Sequence, residues 1–318
     1  MTGDEAIALI EAATDPRALF GRDPARDPAR QYRRLARLTH PDLSPRGARA
    51  AAAFAKLSAL WRRYRAESAP AALAFSGDIA NLYGHDRGLL KIARDPADND
   101  LLGREAAALA RLRRAGDKRF LAYVPALIGS QRHKDPDSGA ERRANLLSRL
   151  DGFVTLADVH AAYPRGLDPR DAAWMWRRLL VAVGFAHRAG VIHAAVLPEH
   201  VLIHPAEHGL VLLDWCYAIT EPGGVAVALP AAYADWYPAE VRGREAPGPD
   251  LDIWLATRCM TYLMGRLAPP PLTRFARGCT LLGVSRRPTD AWQLLRELDA
   301  VLERLYGSRT FRPFTMPA

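Results

Sequence analysis

Residues 190–217 constrain the fold of this 318-residue chain more than any other stretch. They contain two short apolar runs, 201–203 and 210–213, separated by a polar turn that holds a proline and a glycine. Apolar runs of this length around such a turn predict a β-hairpin. His193 precedes the first run and Asp214 follows the second, so the hairpin carries two polar side chains to one end. We therefore expect a functional site at that end.

The same stretch resembles the catalytic loop and metal-binding triplet of eukaryotic-like protein kinases, whose pattern is H-R-D-x-x-x-x-N followed by D-F-G. His193 and Asp214 match the first His and the last Asp of that pattern. The sequence departs from it at Ala194 for the Arg, Ala195 for the catalytic Asp, His200 for the metal-binding Asn, and Trp215 and Cys216 for the Phe and Gly. The resemblance implies a kinase fold that has lost its usual base.

Upstream residues extend the resemblance to the ATP-binding half of a kinase. Lys91, in an apolar strand-like run, matches the lysine that contacts ATP, and Glu105, in a predicted helix, matches the glutamate that pairs with it. With Asp214, these residues form the predicted ATP-binding set. The G-x-G-x-x-G fingerprint is absent, because only Gly77 and Gly84 flank the first hairpin. The alternatives are an exposed edge-strand lysine and a solvated helix glutamate.

Later landmarks resemble residues that hold the kinase fold together. Residues 237–240 resemble the A-P-E end of the activation segment, and Asp252 resembles the buried Asp of the long central helix. Arg287 resembles the late arginine that pairs with the A-P-E glutamate, here Glu240. The resemblance extends over residues 75–306 and assigns these three residues structural roles without chemistry.

The altered loop changes the chemistry that the resemblance implies. Ala195 cannot accept a proton, and a positioned base contributes about 10²–10⁴ in rate. His200 is a softer ligand than Asn for Mg²⁺, so Asp214 is the single predicted metal ligand. Glu199 and His200 are the nearby groups that could replace the base. The sequence is thus compatible with binding of ATP and Mg²⁺ but does not favour ordinary kinase turnover, and we predict no catalytic residue among His193, Ala195 and His200.

A separate pattern occupies the first 67 residues. A short apolar-periodic segment at 4–13 precedes an irregular Pro-rich insert at 15–28, and two amphipathic helices are predicted at 29–39 and from 47 to 65. The tripeptide His40-Pro41-Asp42 lies between these two helices. It ends the first of them, because Pro41 disfavours helical geometry at His40. The two helices therefore form a predicted helical hairpin.

This arrangement resembles a DnaJ-type J domain, which implies docking onto a DnaK-type chaperone ATPase and stimulation of its ATP hydrolysis. Basic residues on one side of the first hairpin helix would attract an acidic chaperone surface. The predicted chaperone-binding residues are His40, Pro41, Asp42, Arg33, Arg34 and Arg37. The alternative is a helix stop with an Asp cap and a coincidental His.

Composition excludes several other classes of protein. No run of about 18 apolar residues exists, so no membrane span is expected. The N-terminus lacks a basic-then-apolar signal pattern, and the three cysteines are far apart, so we expect a cytoplasmic protein without a disulfide or zinc framework. Residues 1–70 hold 13 basic against 8 acidic residues. The excess favours an acidic partner, and the lack of nucleic-acid-binding motifs argues against nucleic acid.

Together these patterns predict an α+β chain with a helical J domain at 1–67, a linker at 68–74, a bilobal kinase-like domain at 75–308 and a tail at 309–318. Within the second domain we predict strands at 123–129 and 144–148, a mobile loop at 131–143, and a helix from Thr155 to His160. The predicted function is that of a J-domain cochaperone whose kinase-like module binds a protein client or senses nucleotide. The alternatives are an atypical ATP-dependent phosphotransferase and a scaffold that binds neither nucleotide nor chaperone.

Overall fold

The computed structural model describes residues 1–21, 28–40, 47–68, 73–115, 117–134 and 139–317. Its chain divides into two compact units, Met1–Ala72 and Leu73–Ala318. Pro41 and Asp42 of the predicted chaperone-binding set lie outside the described residues. Among the residues that are described, every helix is too short or too polar to cross a lipid bilayer.

The N-terminal unit is helical throughout its described parts. Its helices are α1 (Gly3–Ala12), α2 (Pro16–Phe20), α3 (Pro28–Thr39) and α4 (Gly47–Ser68). Thr2 and Glu5 form a reciprocal capping box at the start of α1. The core of the unit joins all four helices, with Leu35 of α3 and Leu57 of α4 fully buried. The predicted helical hairpin is therefore present, and α1 and α2 pack with it.

Helix α2 corrects the prediction of an irregular insert at 15–28. The Asp15 carboxylate accepts a hydrogen bond from the Arg17 amide, and Pro16 occupies the first helical position. Both features favour a helix start. Leu19 and Phe20 are buried, and the Phe20 ring contacts Trp61 edge-on at 5.0 Å between centroids. The short helix forms because it can place two apolar side chains in the core.

The second unit begins with a five-stranded antiparallel sheet in the order β1-β2-β3-β5-β4. Its strands are β1 (Leu73–Ser76), β2 (Ala80–His85), β3 (Gly88–Ala93), β4 (Leu127–Lys134) and β5 (Glu141–Leu147). One long helix, α5 (Asn99–Arg114), connects β3 to the later strands and packs its apolar face against them. The first strand begins inside the segment that we predicted as a linker.

Strands β4 and β5 correct two predictions. Tyr123 lies in a short 3₁₀ helix, Lys118–Tyr123, and β4 begins only at Leu127, after Pro125. Residues 131–134 and 141–143 belong to the two strands, so most of the predicted mobile loop is a hairpin. Pairing continues from Leu127↔Leu147 to Lys134↔Glu141. The charged side chains are tolerated there because this end of the hairpin is largely exposed.

The rest of the second unit is mainly helical. Its elements are β6 (Val154–Thr155), α6 (Leu156–Ala162), α7 (Pro169–Arg188), β7 (Val201–His204), β8 (Gly209–Leu212), α8 (Ala239–Arg242), α9 (Asp250–Met264), α10 (Pro270–Cys279) and α11 (Ala291–Tyr306). Thr155 caps α6 through a capping box, as predicted. Strands β7 and β8 form the predicted hairpin, and β7 also pairs with β6 in a small antiparallel sheet. Helices α7 and α9 form the centre of the core.

The predicted ion pair between Glu240 and Arg287 is present, and its arginine is buried. Asp250, which the sequence analysis did not single out, also contacts the guanidinium at 3.1 Å. Residues near the C-terminus, predicted as a tail, pack onto this lobe: Phe314 is buried, and the Tyr163 hydroxyl donates to the Thr315 carbonyl. These contacts fix the frame that carries the hairpin of β7 and β8.

Candidate functional site

The side chain of Lys91 projects from the centre of β3 and is buried. Its Nζ lies 3.0 Å from Oε1 of Glu105, which is fully buried on α5. The alternatives of an exposed lysine and a solvated glutamate are thus excluded by the structure. The pair joins the sheet to the helix that packs on it.

Asn145 holds the other oxygen of Glu105. Its side-chain amide, buried on β5, donates to Oε2 of Glu105 at 2.9 Å and to the Leu102 carbonyl at the same distance. The sequence analysis missed this residue, although an Asn within the apolar run of β5 is a signal that could have identified it. Asn145 fixes the carboxylate so that one oxygen faces Lys91.

Asp214 brings a second carboxylate to Lys91 from the opposite lobe. Its backbone is in the left-handed region, with φ 62° and ψ 56°, where it turns the chain from β8 into a 3₁₀ helix at Trp215–Tyr217. Its Oδ1 lies 2.6 Å from Nζ of Lys91. Burial alone would raise the pKa of Asp214, but the Lys91 ammonium outweighs burial and holds it well below its ordinary value.

Cys216 completes this charged cluster. Its Sγ lies 3.2 Å from Nζ of Lys91, and burial raises the pKa of the thiol well above its ordinary value. Ligand atoms of Glu105, Asp214 and Cys216 lie within 4.8 Å of one another. Because Lys91 contacts all three, its ammonium provides the positive charge in their midst.

A buried carboxylate on α9 shapes the loop before β7. Asp252 accepts hydrogen bonds from the amides of His193 and Ala194 and contacts Nε2 of His187, each at 2.8 Å. Burial opposes the charge on Asp252, but these hydrogen bonds hold its pKa below the ordinary value. Ala194 is consequently fixed in the left-handed region with φ 62°, which is uncommon for a residue with a Cβ.

His193 is a structural residue in this loop. Its Nε2–H donates to the Leu213 carbonyl at 2.7 Å, and its Nδ1 accepts from the Ala195 amide at 3.2 Å. Both ring nitrogens are therefore used by the neutral form. Burial lowers the pKa of His193 to about 4. The ring links the loop to the end of β8, immediately before Asp214.

Ala195 and His200 are the residues that the kinase resemblance assigns to the base and to a metal ligand. Ala195 is fully buried and offers only backbone groups. Nδ1 of His200 hydrogen-bonds the Ala195 carbonyl at 2.8 Å, and its Nε2 lies 3.4 Å from Oδ2 of Asp214. Glu199, the other candidate for the base, is exposed.

A hydrogen bond between Tyr217 and Asp78 was not anticipated from the sequence. The Tyr217 hydroxyl donates to Oδ2 of Asp78 at 2.9 Å, and its ring stacks against His200 at 6.1 Å between centroids. Asp78 lies in the turn between β1 and β2, where kinases carry the glycine-rich loop. The hydrogen bond thus joins this turn of the sheet to the segment that follows Asp214.

The predicted chaperone-binding residues lie in the other unit. Arg33, Arg34 and Arg37 are exposed on α3. His40 follows α3 and contacts the Phe54 ring edge-on at 5.1 Å between centroids. The three arginines therefore form a basic surface on the described part of this unit.

Comparisons with known proteins agree with this architecture. The sequence model of the lipopolysaccharide kinase (Kdo/WaaP) family matches residues 79–217, which is less than half of the chain. A segment of 58 residues is 36% identical to casein kinase II subunit alpha′ of Saccharomyces cerevisiae. That match spans 18% of this chain and only 17% of the yeast protein.

The structural comparison extends further along the chain. The crystal structure of the BubR1 kinase domain superposes with a TM-score of 0.57 at 15% sequence identity, covering 74% of this chain and 80% of that one. The N-terminal unit lies outside the family match, which begins at Ile79. The sheet lobe and the helical lobe that together hold Lys91, Glu105 and Asp214 therefore have a protein-kinase-like fold.

Proposed function

We propose that this protein is an adaptor whose kinase-like unit binds a nucleotide without ordinary phosphoryl transfer and whose N-terminal unit docks onto a DnaK-type chaperone ATPase. One observation carries the first half of the proposal. An assembled Lys91–Glu105 pair is connected through Asp214 and His200 to Ala195, which offers no side chain that accepts a proton. The nucleotide state of this unit, or a protein client bound to it, would then be linked to the chaperone by the N-terminal unit.

Kinase-like proteins generally use ATP with Mg²⁺, and the residues present fit these two groups differently. In kinases the strand lysine contacts the nucleotide phosphates, and we propose this role for Lys91. Asp78 adds a negative charge at the phosphate-covering turn, which opposes a triphosphate. For the metal, the donor set departs from the oxygen ligands that Mg²⁺ requires, because His200 offers an imidazole nitrogen. We therefore expect weak nucleotide binding and propose no reaction step that uses Mg²⁺.

Titration calorimetry with ATP on the full chain tests the nucleotide half. Lys91→Met should abolish binding, and Lys118→Met, which changes an exposed lysine, should leave it unchanged. Asp78→Asn should tighten ATP binding at least threefold because it removes the opposing charge. If wild-type protein and Lys91→Met bind ATP equally, the nucleotide site is not where we place it.

The chaperone half is supported by the basic surface on α3. Arg33, Arg34 and Arg37 are exposed together, and such a surface steers association with an acidic partner. The His-Pro-Asp tripeptide follows this helix directly. We propose that the arginines provide the encounter and that His40 and Asp42 make the directional contacts.

A steady-state ATPase assay with a purified DnaK-type chaperone tests this half. The full chain should raise ATP hydrolysis, and His40→Gln or Asp42→Asn should remove the stimulation while circular dichroism stays unchanged. His85→Asn, at an exposed position of the other unit, is the matched control. Stimulation that survives both substitutions would exclude a J-domain mechanism.

An active phosphotransferase is the second candidate, and the match to a family of lipopolysaccharide kinases favours it. Transfer of radiolabelled phosphate from ATP, including autophosphorylation, distinguishes it from the adaptor. The adaptor predicts no transfer by the wild-type chain. Transfer at ordinary enzymic rates that is lost in Asp214→Asn would instead establish an atypical enzyme.

A further inference from the structure

We propose that a cavity beside the C-terminal end of α5 binds a small organic carboxylate, with Arg111 as the charged anchor. The cavity is separate from the candidate nucleotide site, because none of Lys91, Glu105 and Asp214 lines it. The inference therefore depends neither on nucleotide binding nor on chaperone docking. It follows from the contacts of Arg111, the size of the cavity and the apolar side chains in its wall.

The guanidinium of Arg111 is fixed by neutral acceptors. Its Nε donates to the Ala189 carbonyl at 2.7 Å, and its Nη1 donates to the Thr220 carbonyl at 2.9 Å. In the described part of the chain, its Nη2 has no acceptor and no carboxylate lies within ion-pair distance of the guanidinium. Arg111 is partly buried, and a charge removed from water is stable when it is paired. The protein thus holds in place a cation whose counter-charge the described residues do not provide.

The free nitrogen of Arg111 lies at an open space. Nη2 stands beside Gly190, where an added Cβ would be 2.5 Å away, and both residues line a cavity of about 230 Å³. Gly223 and Gly224 form another part of the wall and have no side chain that would fill it. Because Gly223 and the neighbouring Glu221 are exposed, this part is the mouth through which a ligand enters.

Much of the cavity wall is apolar. It includes Val191, Ile192 and Ile219 and, on another side, Pro247 and Pro249. Val191 and Ile219 are buried in the core of the lobe, so this surface is rigid. A cavity of about 150 Å³ with an apolar lining accommodates benzene, so this larger cavity has room for one ring and a carboxylate. An organic carboxylate would cover the apolar wall, whereas an inorganic anion would leave it in water.

The ionisable groups of the wall select an anion. They are Arg111, His187 and Glu221. Nε2 of His187 already contacts the Asp252 carboxylate at 2.8 Å, and Glu221 lies at the exposed mouth. A carboxylate that enters the cavity accepts a charge-assisted hydrogen bond from Nη2 of Arg111. An amide of the same shape brings no charge to this contact.

An NMR titration of the full chain with benzoate tests the proposal. Benzamide is the neutral compound of the same shape, and acetate is a carboxylate without the ring. The methyl signals of Ile192 and Ile219 should shift as benzoate is added, since both side chains line the cavity. Benzamide and acetate should each bind about tenfold or more weakly, because the first lacks the charge and the second lacks the apolar contact.

Replacement of the anchor gives the second measurement. Arg111→Met keeps much of the side-chain volume but removes the charge, so benzoate should bind about tenfold or more weakly, with the affinity of benzamide. Arg113→Met is the matched control, because it makes the same charge change at an exposed position of the same helix. This variant should bind benzoate with the wild-type affinity.

Three results would overturn the proposal. The first is equal affinity of the wild-type chain for benzoate and for either comparison compound. The second is an unchanged affinity for benzoate in a folded Arg111→Met variant. The third is benzoate that shifts neither methyl signal up to its solubility limit. If Arg111→Met does not fold, the comparison of benzoate with benzamide on wild-type protein decides, because equal affinities would exclude a charged anchor.

Discussion

Nζ of Lys91 lies 2.6 Å from Oδ1 of Asp214, although 123 positions separate the two residues in the chain. The lysine belongs to the five-stranded sheet and the aspartate follows the hairpin of the helical lobe. The same ammonium contacts Glu105 at 3.0 Å. One cation therefore balances two acidic side chains. Burial opposes the charge on Lys91, but these acidic partners hold its pKa well above the ordinary value.

We predict that Lys91→Met destabilises the protein strongly. The substitution keeps most of the side-chain volume but leaves Glu105 buried without its cation, and removal of one partner of a buried pair costs about 3–5 kcal/mol. Urea denaturation of the full chain measures the loss. The double variant Lys91→Met/Glu105→Gln should recover part of it, since the charge of the fully buried Glu105 is gone.

Lys118→Met is the matched control for this prediction. Lys118 is exposed, so its replacement should change the free energy of unfolding by less than about 0.5 kcal/mol. An equal effect of the two methionine substitutions would mean that the contacts of Lys91 contribute nothing to stability.

The sequence predicted those contacts that follow from fixed positions in a kinase-like pattern. The ion pairs of Lys91 with Glu105 and of Glu240 with Arg287 are both formed. Their members lie in segments with clear periodicity, so element type and residue role could be inferred together. The buried position of Asp252 at the start of a central helix was predicted for the same reason.

Contacts that depend on packing between distant elements were not predictable. Asp78 and Tyr217 meet only because the turn after β1 folds towards the segment after Asp214, and neither residue matches a pattern. The strand boundaries around Pro125 were also missed. Farther along the chain, the charged residues 131–143 indicated a loop, whereas backbone pairing across an exposed hairpin tolerates charge.

We predict that Arg287→Ala costs about 3–5 kcal/mol, because it removes the cation from a buried pair. Two carboxylates, Glu240 and Asp250, would lose their shared partner. Arg287→Lys should rescue only part of the loss, since a single ammonium cannot reproduce the planar fork of a guanidinium. Thermal unfolding monitored by circular dichroism measures both variants.

The neighbouring residue provides the control for Arg287. Arg286 is exposed, so Arg286→Ala should unfold close to the wild-type temperature. Comparable losses at the two positions would argue that the local backbone, and not the buried ion pair, determines stability here.

We predict that Gly190→Ala destabilises the protein through a clash with Arg111. Gly190 has φ +67°, and an added Cβ would lie 2.5 Å from Nη2 of Arg111. That guanidinium donates to the Ala189 and Thr220 carbonyls at 2.7 and 2.9 Å and so ties α5 to the loop before His193. In a double-mutant cycle, Gly190→Ala and Arg111→Ala should be less than additive, because the clash disappears once Arg111 is removed.

Gly223 isolates the contribution of backbone strain in that experiment. It also has a positive φ, +73°, but an added Cβ would meet no atom within 4 Å. Gly223→Ala should therefore cost only about 1–2 kcal/mol of left-handed strain, and less than Gly190→Ala. Strict additivity at positions 190 and 111 would contradict the proposed clash.

The last prediction concerns acid stability and follows from His193. Its folded pKa is lowered by burial to about 4, against an ordinary value of 6.5 in the unfolded chain. Between these values the unfolded state binds more protons than the folded state, so the free energy of unfolding decreases as the pH falls from 6.5 towards 4. At pH 5 this group alone should account for a loss of about 2 kcal/mol. The structural reason is that Nδ1 of His193 accepts a hydrogen bond from the Ala195 amide. Protonation of Nδ1 would replace this hydrogen bond by two N–H groups that point at each other.

Urea denaturation at pH 7 and pH 5 measures this loss. His193→Gln lacks the titrating ring and should lose about 2 kcal/mol less than the wild-type chain over this interval, even if it is less stable at both pH values. His85→Gln, an exposed substitution, should keep the wild-type pH dependence. If His193→Gln and wild-type protein lose the same free energy on acidification, the neutral ring between Leu213 and Ala195 does not govern acid stability, and the loop is held chiefly by Asp252.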